Sequence, residues 1–379
     1  MRKSILVFID WFDPGFKAGG PIRSAVNFVR HLQHHYDVYV FTSDRDLGSS
    51  APYDGVKTDT WIFYDGPAKV LYCSPGNLHW KYIREVINDI NPDHIYLNSL
   101  FSKFFTIYPL LISRSVGWKS HVVLAPRGML RKSALQYKSL KKKLYLRVFK
   151  WLSLHRHISF QATDDTEFND IKKEFGDTVR VTQIPNFPAY VQAYPGSLPK
   201  KPGELSIIFV GRLHPIKNLH FLLERLRGLK GRALLTIVGS EENKAYVGQC
   251  RSLSASLPGN VRVKFEGEKP NHELPVIIAA HHVFCLPTQG ENFGHAIFEG
   301  LSAGRPVIIS DQTPWRELVA VKAGWDVSLT DSIGFERALQ DMLDMEQVQY
   351  DEWSGAAWKY AHQFSTASDA LSQYTLLFQ

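Results

Sequence analysis

With 379 residues, 44% of them hydrophobic and 21% charged, the chain is too long for one ordinary core and has the composition of a folded two-domain protein. It has no low-complexity tract or internal repeat, which sets aside disordered tails and solenoids. A net charge of +7 accompanies three widely spaced cysteines, Cys73, Cys250 and Cys285, which form neither a disulfide framework nor a zinc pattern and suit a reducing compartment.

The opening apolar run, Ile5 to Ile9, is stopped by Asp10, so Ser4–Ile9 reads as a buried strand rather than a signal peptide. A helix over Ser24–His34 and a strand over Asp37–Phe41 follow, then a helix over Leu78–Ile90, a strand at His94–Leu97, a helix over Phe101–Ser115 and a strand at His121–Ala125. A basic helix comes next, then a strand near Ile158–Gln161, a helix opening at the cap-like Thr163-Asp164-Asp165, and a strand at Val179–Ile184. The proline-rich, aperiodic segment between Pro185 and Pro202 is the natural linker. Beyond it come strand Leu205–Val210, helix Asn218–Leu229, strand Ala233–Val238, a helix through Glu241–Leu257 and strand Val261–Phe265. A short helix near Glu273–Ala280, strand Val283–Leu286, a helix from Gly294 and strand Pro306–Ile309 complete the series. Strands alternating with helices predict an α/β fold: two Rossmann-like, doubly wound domains, over 1–185 and 204–364, joined by a linker at 186–203. Such sheets bind ligands in the cleft at the carboxyl ends of their strands.

The positive charge is concentrated. From His94 to Thr163 there is no Asp or Glu, and Arg131, Lys132, Lys138, Lys141, Lys142, Lys143, Arg147 and Lys150 crowd one stretch with Leu140, Leu144, Val148 and Trp151. Helical spacing makes 131–151 a basic amphipathic helix. Three readings stand: a solvated helix whose Leu and Trp side chains pack on the core, a surface for anionic lipid headgroups or a phosphorylated lipid-linked acceptor, or a nucleic-acid surface. No nucleic-acid motif accompanies the charge, so no nucleic-acid partner is expected. No uncharged apolar stretch reaches the ~18 residues of a membrane span.

Three loops at strand ends could carry chemistry. The first, Asp13 to Pro21, holds Gly19 and Gly20, whose backbone can approach an anion, although the spacing is not that of a dinucleotide fingerprint. The second, Gly211-Arg212-Leu213-His214-Pro215-Ile216-Lys217-Asn218, puts two cations where a diphosphate could be held and stabilised as it leaves; His214 reads as structural. The third, Pro287 to His295, carries Glu291 and the amides of Asn292, Phe293 and Gly294, with Glu299 on the helix that follows. A carboxylate accepts two sugar hydroxyls at once, so two carboxylates beside open amides suit sugar and phosphate together.

The segments GRLHPIKN and GENFGHAIFEGLSAGRPVI resemble the donor-site motifs of glycosyltransferase family 4, with its E-x7-E signature running from Glu291 to Glu299. AGGPIRSAVNFVRHL is similar to that family's amino-terminal loop and helix, and APRGML to a segment of many bacterial members. The resemblance implies the GT-B fold, two such domains facing across a cleft, the first binding acceptor and the second donor. It also implies a C-terminal helix, about 365–379, packed back on the first domain. Carried over by motif, Glu299 binds the nucleotide ribose, Glu291 the sugar hydroxyls, and Arg212 and Lys217 the diphosphate, with help from Gly19 and Gly20. Arg212, Lys217 and Glu291 form the expected catalytic set, and Asn292, Phe293 and Gly294 offer amides to the donor.

Two departures matter. Pro126-Arg127-Gly128 stands where many relatives carry a histidine, so Arg127 and Asn98 become the acceptor-side candidates; Pro185-Asn186-Phe187-Pro188 replaces the commoner PNG pattern at the hinge.

The expected activity is retaining transfer of a sugar from a nucleotide-diphosphate donor to a glycan or lipid-linked glycan hydroxyl, in bacterial cell-surface polysaccharide synthesis. No metal or other cofactor is expected, since there is no DxD-type motif and Asp164-Asp165 reads as a helix cap. The expected place is the cytoplasm, peripheral at the inner face of the plasma membrane, with an anionic membrane surface as partner through 131–151. Alternatives are a GT-B nucleotide-sugar epimerase, a transferase to a soluble small sugar, or a catalytically silent nucleotide-sugar-binding protein.

Overall fold

The computed structural model describes residues 2–131, 135, 139–367 and 369–379. Two members of the expected basic cluster, Lys132 and Lys138, lie outside the described residues. The chain divides into two compact units, one of Met1–Phe187 with Asp369–Gln379, the other of Pro188–Ser368.

In the first unit, β1 (Ser4–Phe8), β2 (Asp37–Ser43), β3 (Trp61–Phe63), β4 (Lys69–Cys73), β5 (His94–Leu97), β6 (His121–Leu124), β7 (Ser159–Ala162) and β8 (Arg180–Gln183) make one sheet. Their order is β3-β4-β2-β1-β5-β6-β7-β8. The pairings are parallel except β3 with β4. Side chains alternate along a strand. Ile5 and Val7 therefore pack on one face with Phe28 of α1 (Gly20–Leu32), and Leu6 and Phe8 on the other with Ile83 of α2 (Trp80–Ile90) and Leu110 of α3 (Tyr108–Ser115). Burial on both faces is why these strands read as nearly continuous apolar runs. The strand pair β3 and β4 falls where the sequence reading placed no element. α1 starts at Gly20, four residues before the Ser24 expected, because Pro21 sits at the helix start, where a missing N–H costs nothing.

Two further helices of this unit are α4 (Ser139–Trp151) and α5 (Asp165–Phe175). Asp164 caps α5 by accepting the Glu167 N–H at 2.8 Å, the capping role expected of it. α4 packs through Leu146 and Phe149, whereas Leu140, Leu144 and Trp151 are exposed. The reading in which Leu and Trp side chains of the basic helix all turn to the core is thereby corrected: the core takes a different apolar pair, one-third of a turn or more away around the helix.

In the second unit, β9 (Glu204–Val210), β10 (Arg232–Val238), β11 (Val261–Gly267), β12 (Val283–Leu286), β13 (Val307–Ser310) and β14 (Gly324–Val327) form an all-parallel sheet ordered β11-β10-β9-β12-β13-β14. Relabelled from its first strand, this is the 3-2-1-4-5-6 order of a dinucleotide-binding sheet, with its switch point between β9 and β12. The covering helices are α6 (Leu219–Arg225), α7 (Lys244–Ala255), α8 (Leu274–Ala279), α9 (His295–Ser302), α10 (Ser332–Asp344) and α11 (Gln347–Ala367). One continuous core joins them. β14 was not expected from sequence; it is a four-residue edge strand that opens on Gly324, so it carries little propensity signal.

Residues 188–203, expected to be linker, are bound along the second unit. Tyr194 bonds Ser354 at 2.8 Å, Arg305 donates to Gly196 O at 3.1 Å, and the Lys200 ammonium donates to Leu343 O at 2.7 Å. Near the C-terminus, α12 (Ala370–Leu377) belongs to the first unit, where Tyr374 stacks on Phe187 with ring centroids 4.5 Å apart. The single helix expected over about 365–379 is thus two, α11 ending at Ala367 and α12 beginning at Ala370.

Candidate functional site

The two loops flanking the switch point of the second sheet leave β9 and β12, and the structure laces them together. From β9, the Gly211 N–H donates to Val238 O at 2.9 Å and the Leu213 N–H to Ser240 O at 2.8 Å. The backbones run so close that a Cβ on Gly239 would lie 1.9 Å from Gly211 O, and φ there is +155°. Only glycine fits that position without displacing the loop. His214 Nδ1 accepts the Ile216 N–H at 3.3 Å, capping the short helical turn Pro215–Lys217. Its role in the fold is structural, and the turn aims Lys217 back over the end of the sheet.

From β12, the Gln289 N–H donates to Ile216 O at 2.7 Å and the buried Thr288 hydroxyl to the same carbonyl at 3.1 Å. Ser310 Oγ holds Thr288 O, and the Glu291 N–H donates to Gln312 O at 3.1 Å. These bonds bring Glu291 to the Lys217 ammonium, which donates to its Oε1; the two side chains are 15% and 18% exposed. A pair this far from bulk water attracts more strongly than a surface pair. Gly294, with φ +78°, turns the chain into α9, and Glu299 stands in the second turn of that helix. Phe293 is buried against Trp315, whose indole N–H donates to Phe293 O at 2.6 Å. Asn292 lies between Glu291 and this anchor.

Arg212 is placed differently from its expected partner. Its guanidinium pairs with Glu242 at 3.4 Å, with 46% of the side chain exposed. Sequence reasoning overlooked Glu242, which sits in the loop after β10, beside the loop after β9 in the sheet order.

The other candidates belong to the first unit. Gly19 has φ +68° and precedes α1, which begins at Gly20. The amides of Phe16 and Lys17, in the same loop, donate to Asp46 Oδ2 at 2.8 and 3.1 Å. A carboxylate of the protein itself thus occupies two of the anion-seeking amides, and Asp46 was not singled out from sequence. Asn98 and Arg127 do come together: Arg127 Nε and Nη2 donate to Asn98 Oδ1 at 3.1 and 2.8 Å. Nη2 also donates to the Tyr96 hydroxyl at 2.7 Å, and Nη1 to Asn186. Arg127 itself has φ +55°, uncommon for a residue with a side chain, and these bonds hold it there. Asp10, at the end of β1, accepts the Ser102 hydroxyl at 2.7 Å, and burial raises its carboxyl above the usual range. The polar break after an apolar strand was its one sequence signal.

Two doubly wound α/β units, one with the 3-2-1-4-5-6 sheet and its loops joined at the switch point, define the GT-B fold class. Solved structures share that fold along the whole chain. A sucrose-phosphate synthase from Thermosynechococcus elongatus superposes with a TM-score of 0.72 at 15% identity, covering 100% of this chain and 98% of that one. The Anabaena protein HepE, in complex with UDP-glucose, superposes at 0.67 with 17% identity, covering 99% and 98%.

Residues 191–359 match the model of the family described as glycosyl transferases group 1. Among curated relatives, a D-inositol 3-phosphate glycosyltransferase of Nocardia farcinica is 31% identical over 121 residues, 29% of this chain and 26% of that protein. A phosphatidyl-myo-inositol mannosyltransferase of Mycolicibacterium smegmatis is 29% identical over 150 residues, 38% of this chain and 37% of that protein. The chain therefore matches between about a quarter and two-fifths of the length of these relatives.

Proposed function

We propose that the protein is a retaining glycosyltransferase moving a sugar from a nucleotide-diphosphate donor to a hydroxyl of a glycan or lipid-linked glycan, in bacterial cell-surface polysaccharide synthesis. The observation that carries this reading is the Lys217–Glu291 pair, which joins the two loops at the switch point of the second sheet. An ammonium has three donors, so Lys217 can keep Glu291 and still bind a phosphate oxygen. Glu291 keeps its second oxygen for a sugar hydroxyl. Glu299, one turn into α9, takes the ribose, and the backbone of Asn292, Phe293 and Gly294 lies against sugar and phosphate. Arg212 exchanges its half-exposed partner Glu242 for the diphosphate at little cost, because such surface pairs contribute about 0–1 kcal/mol.

In the front-face mechanism we favour, the acceptor oxygen bonds the anomeric carbon on the side from which the diphosphate departs. The proton passes to the leaving phosphate oxygen. Lys217 and Arg212 neutralise the charge that develops, so no divalent metal is required and turnover persists in excess chelator. A solved HepE complex containing UDP-glucose supports a UDP-sugar as the first donor to try. Relatives named for inositol 3-phosphate and phosphatidyl-myo-inositol support a phosphorylated or lipid-linked acceptor. Among the described residues no helix is long and apolar enough to cross a membrane, and the proposed place of action is the inner face of the plasma membrane, reached peripherally.

The test is a thermal-shift screen of UDP, GDP, ADP, TDP and CMP, followed by transfer assays with sugars of the nucleotide that stabilises most. Stabilisation by one nucleoside diphosphate, lost in Lys217→Ala, supports the site. Isomerised donor formed without acceptor would replace the transferase reading with an epimerase.

A further inference from the structure

Helix α4, Ser139–Trp151, presents to solvent the side chains that an amphipathic helix ordinarily hides. Leu140, Leu144, Val148 and Trp151 are 83%, 63%, 43% and 81% exposed. At 3.6 residues per turn these four fall within about 80° of arc. Lys143 and Arg147 border that stripe on one side and Lys141 on the other, all three exposed. The opposite face holds the helix to the first unit: Leu146 and Phe149 are buried, and the ring centroids of Phe149 and Phe175 are 5.5 Å apart and those of Tyr145 and Phe101 5.3 Å apart. Lys142, over the Phe101 ring, and Lys150, paired with Glu174 at 2.7 Å, serve the same attachment. Both faces of this helix are thus apolar; one is covered, and the other is rimmed by cations.

We infer that α4 is a membrane-docking helix that lies in the plane of an anionic lipid surface, its Leu140, Leu144, Val148 and Trp151 stripe buried at the headgroup boundary and Lys141, Lys143 and Arg147 set on the lipid phosphates. The rim selects this occupant. A second copy of the chain would bring a like-charged rim against this one, whereas an anionic bilayer offers opposite charge around an apolar interior. No Asp or Glu lies between His94 and Thr163 in the sequence, so α4 itself carries no carboxylate to repel the headgroups, and Glu174 beside it is paired with Lys150. The inference rests on the proposed function only in placing the acceptor at a membrane; the surface stands on its own geometry.

The experiment is co-sedimentation of the full chain with phosphatidylcholine vesicles and with equimolar phosphatidylcholine–phosphatidylglycerol vesicles, at 50 mM and 500 mM salt. The expected result is binding to the anionic vesicles, weakened but not abolished by salt. The variant Leu144→Glu with Trp151→Glu should lose the salt-resistant part, by tenfold or more. The variant Lys141→Gln, Lys143→Gln and Arg147→Gln should weaken low-salt binding by about 100-fold, at roughly fivefold per cation. Circular dichroism and the thermal midpoint should match the parent for both, because every substituted side chain is exposed. Failure of the parent to bind anionic vesicles at low salt overturns the inference, as does binding equal to the parent in both variants. Self-association of the parent, lost in Leu144→Glu with Trp151→Glu and unaccompanied by vesicle binding, assigns the face to a second copy and overturns it too. Nucleotide stabilisation measured on the same variants reports the donor site separately, so either reading can fail alone.

Discussion

Beyond β9 and β12 a lysine and a glutamate are paired with one another, whereas beyond β1, β5 and β6 the polar groups are held largely by neutral partners. Arg127 is divided among Asn98, Tyr96 and Asn186; Asp46 is occupied by the amides of Phe16 and Lys17. Two sheets of one architecture thus use their strand ends differently. Charge complementarity that a ligand can rearrange marks a binding site, and charge already satisfied by fixed neutral partners marks a frame.

The contrast can be broken most directly at Lys217. Lys217→Ala should lower sugar transfer by roughly 10²-fold or more, by analogy with the loss of other preorganised electrostatic contacts, read as nucleotide release in steady state. Its unfolding midpoint should shift far less than its turnover; equal losses in both would make the residue part of the frame.

Arg127→Ala should behave in the opposite way. Removing a charged donor from Asn98, Asn186 and Tyr96 should cost about 2–3 kcal/mol in denaturant unfolding, with the nucleotide-induced thermal shift retained. Loss of that shift without loss of stability would move Arg127 into the binding machinery.

The first unit also carries an acid sensitivity of its own. Burial, and then the nearby His121, push the His94 imidazole down to about 4, so the folded chain holds it neutral while the unfolded chain protonates it near the ordinary value of 6.5. Between those values the unfolded state binds more protons, so stability is complete above about pH 6.5 and falls as pH falls. The loss should reach ~2 kcal/mol by pH 5. A His94→Gln variant should show a flatter dependence over that window, and an unchanged slope would assign the sensitivity to other groups.

Smallest of all, Asp46→Asn keeps an acceptor for the Phe16 and Lys17 amides but removes its charge. About 1 kcal/mol should be lost. Hydrogen exchange at those two amides should quicken; protection equal to the parent would show that the loop does not depend on the carboxylate.

Much of this was legible in the chain itself. The two alternations of strand and helix, the strand–loop–helix setting of Glu291 and the cap at Asp164 follow from local pattern, because period, turn residues and caps act over a few positions. Less was visible where elements are short or start on glycine: β3, β4 and β14 are held by neighbouring strands rather than by their own propensity. Glu242 and Asp46 escaped notice, and Asp10 showed only as a strand end, because their significance lies in partners on other loops, 30, 29 and 92 positions away for Arg212, Lys17 and Ser102.

The sequence by itself determined the α/β class, the two-unit organisation and the presence of Lys217 and Glu291 in loops that follow parallel strands, with Glu299 on the helix after the second loop. The tertiary structure alone decided which charges meet. Strand order puts β9 beside β12, though 72 residues lie between Val210 and Val283, and only that adjacency brings Lys217 to Glu291. It also decided which apolar face of α4 the core would cover. An amphipathic pattern specifies that one face is buried; when both faces are apolar, packing against Phe101 and Phe175 makes the choice and leaves Leu140, Leu144, Val148 and Trp151 to the solvent.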